Sequence, residues 1–418
     1  MEKIIINGRA RVSGRVRISG SKNATLPIMA ACLLTDQPCV LHHVPDLEDV
    51  HVMEEVLSGM GASVKREQDT LVIHCQQIHS FDVPDEQTRR MRASNLVMGA
   101  LLGRFHQARV SYPGGCAIGQ RPMDIHIKGF RELGYEIAEE YGFLIGKTDR
   151  MPGGDILLDF PSVGATENLM MASAISNQHT VIRNAAREPE IVDLQNFLNR
   201  MGARIRGAGL DTIRIEGVPE LIGVEHEVIP DRIEAGTYIA LAVATGGDVI
   251  LENIVIEHLE PIIAKLKETG ASITRSNGRA LRVVAPGKLR AVDVKTMPYP
   301  GFPTDMQPQM MALLGLADGT SVVVETIFEN RFMHVSELCR MGADIRVEGR
   351  AAVIRGTRDY QGARVEATDL RAGAALILAG TTAEGQTVIE NAGHIFRGYE
   401  KLEEKLGMLG ISAQIIRK

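Results

Sequence analysis

Three cations in this chain stand where helices disfavour them. Lys22, Arg121 and Arg397 fall near positions that read as helix starts. A helix N-terminus exposes unpaired N–H groups and a partial positive charge, so it attracts anions and repels cations. A lysine or arginine there needs a compensating anion, either a bound molecule or a protein carboxylate. Together the three predict a multiply charged anionic substrate. Other polar residues hold equivalent positions: Asn23 beside Lys22, Arg92, Ser162-Val163-Gly164, Asp231-Arg232, Thr304-Asp305 and Asp369-Leu370-Arg371. Taken singly, Ser162, Thr304 and Asp369 read as helix caps. For Arg331, a salt bridge to Glu188 or Glu190 is the alternative to a bound anion.

The segment Pro113-Gly114-Gly115-Cys116-Ala117-Ile118-Gly119-Gln120-Arg121-Pro122 has three glycines and two prolines, the composition of a loop. Its cysteine is expected to be exposed, with Arg121 able to lower its pKa. Cys32, Cys39, Cys75 and Cys339 lie in helix or strand patterns and read as small buried hydrophobes. No Walker loop and no strand–GxGxxG–helix unit is present, so nucleotide binding of those kinds is not expected. No metal-spaced ligand set occurs, and neither a metal nor an organic cofactor is predicted.

These residues are positioned by a repeat. Gly61, Gly134, Gly202, Gly270, Gly342 and Gly410 share one local setting, at intervals of 73, 68, 68, 72 and 68 residues. Four positions before each stands Leu57, Phe130, Leu198, Leu266, Leu338 or Leu406, and most are followed by Ala-x-Val or Ala-x-Ile. That reads as an amphipathic helix, a glycine in a left-handed turn, then a strand. Six copies at a nearly fixed period signal internal duplication. Each copy also holds an earlier segment that is apolar nearly all round, such as Leu96–Leu102 or Tyr238–Val243, and such helices are buried on every side. Strands such as Thr212-Ile213-Arg214-Ile215-Glu216 alternate and expose one face. Buried helices with half-exposed strands put the helices inside and the sheets outside.

At 418 residues two domains are expected, hence an α/β architecture with three repeats of roughly 70 residues in each. The sixth repeat ends at the C-terminus and lacks a closing strand, which the N-terminal strand could supply. One domain would then be discontinuous, residues 1–21 with 230–418, and the other would be 22–229. A net charge of -6 argues against a nucleic-acid partner. The longest apolar runs are about half of the ~20 residues a membrane span needs, no signal peptide is recognisable, and five cysteines without a CxxC pair suit a reducing cytoplasm.

Several motifs together resemble the enolpyruvyl transferases over essentially the whole chain, and within them the members whose acceptor is a UDP-linked amino sugar. They are Gly20-Ser21-Lys22-Asn23-Ala24, Pro113–Cys116 with Arg121-Pro122, Ser162–Thr166, Pro230–Thr237, Tyr299–Asp305 and Asp369–Gly373. The resemblance implies a fold of two inside-out α/β barrels. It implies transfer of the enolpyruvyl group of phosphoenolpyruvate to the 3′-hydroxyl of UDP-N-acetylglucosamine, with loss of phosphate, at the first committed step of peptidoglycan synthesis. By motif match, Lys22, Asn23, Cys116, Arg121 and Arg397 would serve phosphoenolpyruvate. Asn23, Arg92, Arg121, Pro122, Met123, Asp124, Ile125, Ser162, Val163, Gly164, Asp305 and Ile327 would serve the sugar nucleotide. Asp305 would be the base for the sugar hydroxyl, Cys116 would form an adduct with phosphoenolpyruvate and react with the epoxide fosfomycin, and Asp369 and Arg371 would lie at the same site. The implied partners are these two small molecules, in a cytoplasmic monomer or weak homo-oligomer. Some family members carry a lysine two positions before the Ser-Val-Gly-Ala-Thr serine; here Phe160-Pro161 precede Ser162. The family's shikimate 3-phosphate enzyme is the nearest rival, and the Cys116 loop and the Asp231–Thr237 motif argue against it.

Overall fold

The computed structural model describes residues 2–83, 95–112, 123–357 and 359–417. Its described helices alternate between buried and amphipathic, as the repeat requires. The buried set is α1 (Lys22–Ala31), α3 (Val97–Phe105), α5 (Val163–Ala174), α7 (Arg232–Ala244), α9 (Gln307–Leu314) and α11 (Leu370–Thr382). The amphipathic set is α2 (Glu48–Gly59), α4 (Asp124–Glu132), α6 (Pro189–Arg200), α8 (Glu260–Glu268), α10 (Val335–Arg340) and α13 (Leu402–Met408). A four-residue helix, α12 (Gly393–Phe396), precedes α13. All six repeat glycines take positive φ, from 81° at Gly410 to 108° at Gly61 and Gly202. At Gly342, φ is 94°, a conformation in which a Cβ would clash with its own backbone.

The described strands form six four-stranded sheets. In one, Gly154–Leu157 runs parallel to His179–Arg183, which pairs antiparallel with Thr212–Glu216, itself antiparallel to Arg204–Arg206. Ile213 and Ile215 of the third strand are buried while Arg214 and Glu216 are exposed, the expected alternation. The sixth repeat is completed from the other end of the chain. Strand β1 (Lys3–Asn7) lies between Gln386–Glu390 and Ala413–Ile416, antiparallel to both, with Ile4 opposite Ile389 and Ile415. Strand β2 (Ser13–Arg17) adds a parallel edge to Asp248–Glu252.

The chain divides into two compact units, residues 1–19 with 230–418, and the described part of 20–229. Each has its own apolar core built on three buried helices. In the 20–229 unit small residues let helices approach closely. A Cβ on Gly99 would lie 2.4 Å from the Asn168 carbonyl oxygen of α5, and the Gly99 N–H donates to Asn168 Oδ1 at 2.7 Å. Asn168 thus caps α3 from a neighbouring helix. No described helix is long and apolar enough to cross a membrane.

Candidate functional site

Within the 20–229 unit, Ser21 caps α1, its Oγ accepting from the Ala24 N–H at 3.3 Å. Lys22 is therefore the first helical residue, the position where a cation opposes the helix dipole. The compensating charge is a protein carboxylate: Lys22 Nζ donates to Asp49 Oδ2 at 3.0 Å, with both side chains largely buried. Asp49 lies in the first turn of α2, where an anion is favoured. Asn23 is half-buried, and Pro27, having no N–H, cannot donate to its carbonyl four residues back.

Ser162 caps α5 in the same way, accepting from the Ala165 N–H at 3.3 Å, and Val163 and Gly164 open the helix. A Cβ on Gly164 would lie 3.3 Å from His126 of α4. His126 is buried, and burial lowers its pKa to about 4. The neutral ring accepts through Nδ1 from Asn168 Nδ2 at 3.1 Å. Met123 is buried just ahead of α4, and Ile125 is half-buried at its second residue. Asp124 is exposed, accepts from the Ile125 N–H, and lines an open groove of about 500 Å³ with Tyr112 and Lys128. Further along α5, Glu167 is buried; burial and the charges of Glu190 and Glu188 hold its pKa well above the usual range.

In the other unit Asp305 sits in a 3-10 turn, Thr304–Met306, that leads into α9. Its Oδ1 accepts from Arg331 Nη2 at 3.0 Å, and its Oδ2 from Arg371 Nη2 at 3.0 Å and Nε at 3.3 Å. The two guanidiniums are almost wholly buried while the carboxylate is 29% exposed. Burial opposes the charge on Arg371, but the Asp305 carboxylate, Tyr399 and Asp231 together outweigh it and the pKa is raised. Asp369 caps α11, accepting from the Arg371 and Ala372 N–H groups at 2.8 and 3.1 Å. Asp231 caps α7 likewise.

Arg331 is met by a protein carboxylate, Asp305. Three expectations change. Thr304 is not a cap: its hydroxyl donates to Glu325 Oε2 at 2.8 Å. Arg397 does not open a helix; it closes α12 as its C-cap, half-buried, where the dipole favours a cation. Cys339 is exposed, because helical periodicity turns it to the same face as Ser336, whereas Cys32, Cys39 and Cys75 are buried. Ile327 is half-buried, with its N–H on Glu325 Oε1 at 2.8 Å. Arg92, Cys116, Arg121 and Pro122 lie outside the described residues. Asp49 and Glu325 went unnoticed in the sequence. Asp49 could have been found, since it sits where a first-turn anion of a second helix belongs. No group of His, Cys, Asp or Glu among the described residues could hold a metal ion.

Residues 6–406 match the family described as EPSP synthase (3-phosphoshikimate 1-carboxyvinyltransferase). The chain is 57% identical over 411 residues to UDP-N-acetylglucosamine 1-carboxyvinyltransferase 2 of Carboxydothermus hydrogenoformans, covering 98% of both chains. It is 55% identical to UDP-N-acetylglucosamine 1-carboxyvinyltransferase 1 of Caldanaerobacter subterraneus subsp. tengcongensis, covering 100% of this chain and 99% of the relative. Among solved structures it is similar to the enolpyruvyl transferase NikO from Streptomyces tendae, with a TM-score of 0.90, 25% identity, and coverage of 99% and 98%. EPSP synthase from Acinetobacter baumannii shares the fold, with a TM-score of 0.79 at 18% identity and full coverage of both chains.

Proposed function

The chain belongs to the EPSP synthase (3-phosphoshikimate 1-carboxyvinyltransferase) family of enolpyruvyl transferases, and from that membership we propose that it moves the enolpyruvyl group of phosphoenolpyruvate to the 3′-hydroxyl of UDP-N-acetylglucosamine, releasing phosphate, at the first committed step of peptidoglycan synthesis. The choice of acceptor is carried by identity above half, over the whole chain, with relatives named for it.

The chemistry follows from the substrates. Protonation of C3 of phosphoenolpyruvate builds cationic character at C2. The sugar hydroxyl attacks C2, its proton passes to a base, and a ketal forms. Loss of a C3 proton and of phosphate from C2 restores the double bond. Asp305 is the candidate base. A carboxylate shared by two guanidiniums is a mild base, and a mild one suffices, because a hydroxyl bonding to a cationic carbon becomes strongly acidic. A positioned acid or base contributes ~10²–10⁴-fold. Lys22, Arg121 and Arg397 are assigned to the phosphate and carboxylate of phosphoenolpyruvate, where fixed cations stabilise the departing phosphate. Cys116 is assigned to the adduct with phosphoenolpyruvate, and Asp369 acts with Arg371 at the Asp305 end. Asn23, Arg92, Pro122, Met123, Asp124, Ile125, Ser162, Val163, Gly164 and Ile327 are assigned to the sugar nucleotide. Its chemistry asks for no metal and no organic cofactor. A cytoplasmic location, and a monomer or weak homo-oligomer, accompany this reading.

Mass spectrometry of the product tests the proposal. The UDP-sugar should gain an enolpyruvyl ether at its 3′-oxygen. Unchanged UDP-N-acetylglucosamine in the presence of phosphoenolpyruvate and folded protein would refute it.

A further inference from the structure

Glu325 follows the strand Thr320–Val324 and is wholly buried. A buried carboxylate is tolerated when its lone pairs are met, and here four donors meet them. Oε1 accepts from the Thr296 hydroxyl at 2.9 Å, the Ile327 N–H at 2.8 Å and the Phe328 N–H at 3.2 Å. Oε2 accepts from the Thr304 hydroxyl at 2.8 Å. A second layer fixes the first. The Thr296 hydroxyl accepts from the Thr326 N–H at 2.9 Å, and the Thr296 carbonyl accepts from the Thr326 hydroxyl at 2.6 Å.

One side chain therefore fastens three segments. They are the strand end at Thr296, the bend that sets the Ile327 backbone, and the turn whose next residue after Thr304 is Asp305. Arg331 and Arg371 hold the far end of the Asp305 side chain. Nothing in them fixes the backbone from which that side chain grows. Glu325, through Thr304, supplies that second point of restraint. The bonds run from an acceptor-only group to donors on separate segments, so the segments cannot shift independently without stranding a buried polar atom.

We propose that Glu325 is a positioning residue for the transfer reaction, setting Asp305 through the Thr304 hydroxyl and the sugar-nucleotide contact through the Ile327 N–H; the inference rests on the reading of Asp305 as the base. Glu325 acts through these two neighbours and exchanges no proton with substrate.

Steady-state kinetics of the full chain with phosphoenolpyruvate and UDP-N-acetylglucosamine test it. Thr304→Val removes the hydroxyl and keeps the shape. It should lower kcat by about tenfold to a hundredfold, the range expected for a slightly misplaced catalytic group, with KM for phosphoenolpyruvate unchanged. Thr304→Ser restores the hydroxyl and should restore kcat. Glu325→Gln, whose amide nitrogen cannot accept from Thr304, should lower kcat in the same sense. Thr269→Val removes a buried hydroxyl that bonds the Leu266 carbonyl at 2.7 Å, away from these segments; it should lower Tm and leave kcat alone. If Asp305→Ala is inactive while Thr304→Val and Glu325→Gln turn over like the parent chain, the positioning role is overturned. If Asp305→Ala itself turns over normally, the reading of Asp305 fails first, and the inference falls with it.

Discussion

Arg371 donates from both Nη2 and Nε to a single oxygen of Asp305, at 3.0 and 3.3 Å. The other oxygen is left to Arg331. The cations are buried and the carboxylate is partly open, so it keeps access to what approaches from solvent. Removing Arg371 should therefore loosen Asp305 without uncovering it. Arg371→Met is expected to lower kcat by about a hundredfold and stability by on the order of 2 kcal/mol, read from turnover and chemical denaturation. Arg371→Lys should not rescue turnover, since an ammonium cannot place two donors in one plane.

Arg397 follows a helix rather than opening one, so helix electrostatics does not strain it, and its assigned work is on phosphoenolpyruvate. Arg397→Ala should raise KM for phosphoenolpyruvate strongly while calorimetry shows UDP-N-acetylglucosamine binding little changed. Equal loss of both would mark a structural residue.

Acid should weaken the fold through two histidines. Burial lowers both His126 and His334 to a pKa of about 4, against 6.5 when unfolded. The unfolded chain then binds protons first, so the stability these neutral rings confer is complete above pH 6.5 and is lost as pH falls from 6.5 to about 4. Each contributes up to roughly 3 kcal/mol across that window. His126→Asn keeps an acceptor for Asn168 and removes the titration. It should flatten the dependence of unfolding free energy on pH between 6.5 and about 4; an unchanged slope would show that His126 is not held neutral.

Cysteine chemistry should sort by access. Cys32 and Cys75 are buried, with burial driving their pKa values upward, to about 12 for Cys75, and Cys39 is buried beside them. Iodoacetamide should label Cys339 and Cys116 and spare these three in the native protein. Fosfomycin should label Cys116 alone, its thiolate opening the epoxide as the C–O bond breaks and the oxygen takes a proton. Peptide mass spectrometry distinguishes the two patterns.

Much of the fold was legible because its signals are local and repeated. The glycines at 61, 134, 202, 270, 342 and 410 could be read one at a time, and all six adopt positive φ. The vacancy in the sixth repeat was visible from strand arithmetic, and β1 fills it. The site was less legible because its contacts are not local. Asp305 meets Arg331 and Arg371, which lie 26 and 66 positions away, and no periodicity links them. Thr304 read as a cap because a hydroxyl before a helix usually is one. Its partner, Glu325, is set by tertiary packing that overrides the local preference. Arg397 was misplaced because the four-residue helix α12 precedes α13, and Arg397 closes the first instead of opening the second.

The identity of the acceptor is measured most directly by phosphate release. With phosphoenolpyruvate supplied, release should require UDP-N-acetylglucosamine, and shikimate 3-phosphate should give none. Release with shikimate 3-phosphate and none with UDP-N-acetylglucosamine would contradict the account.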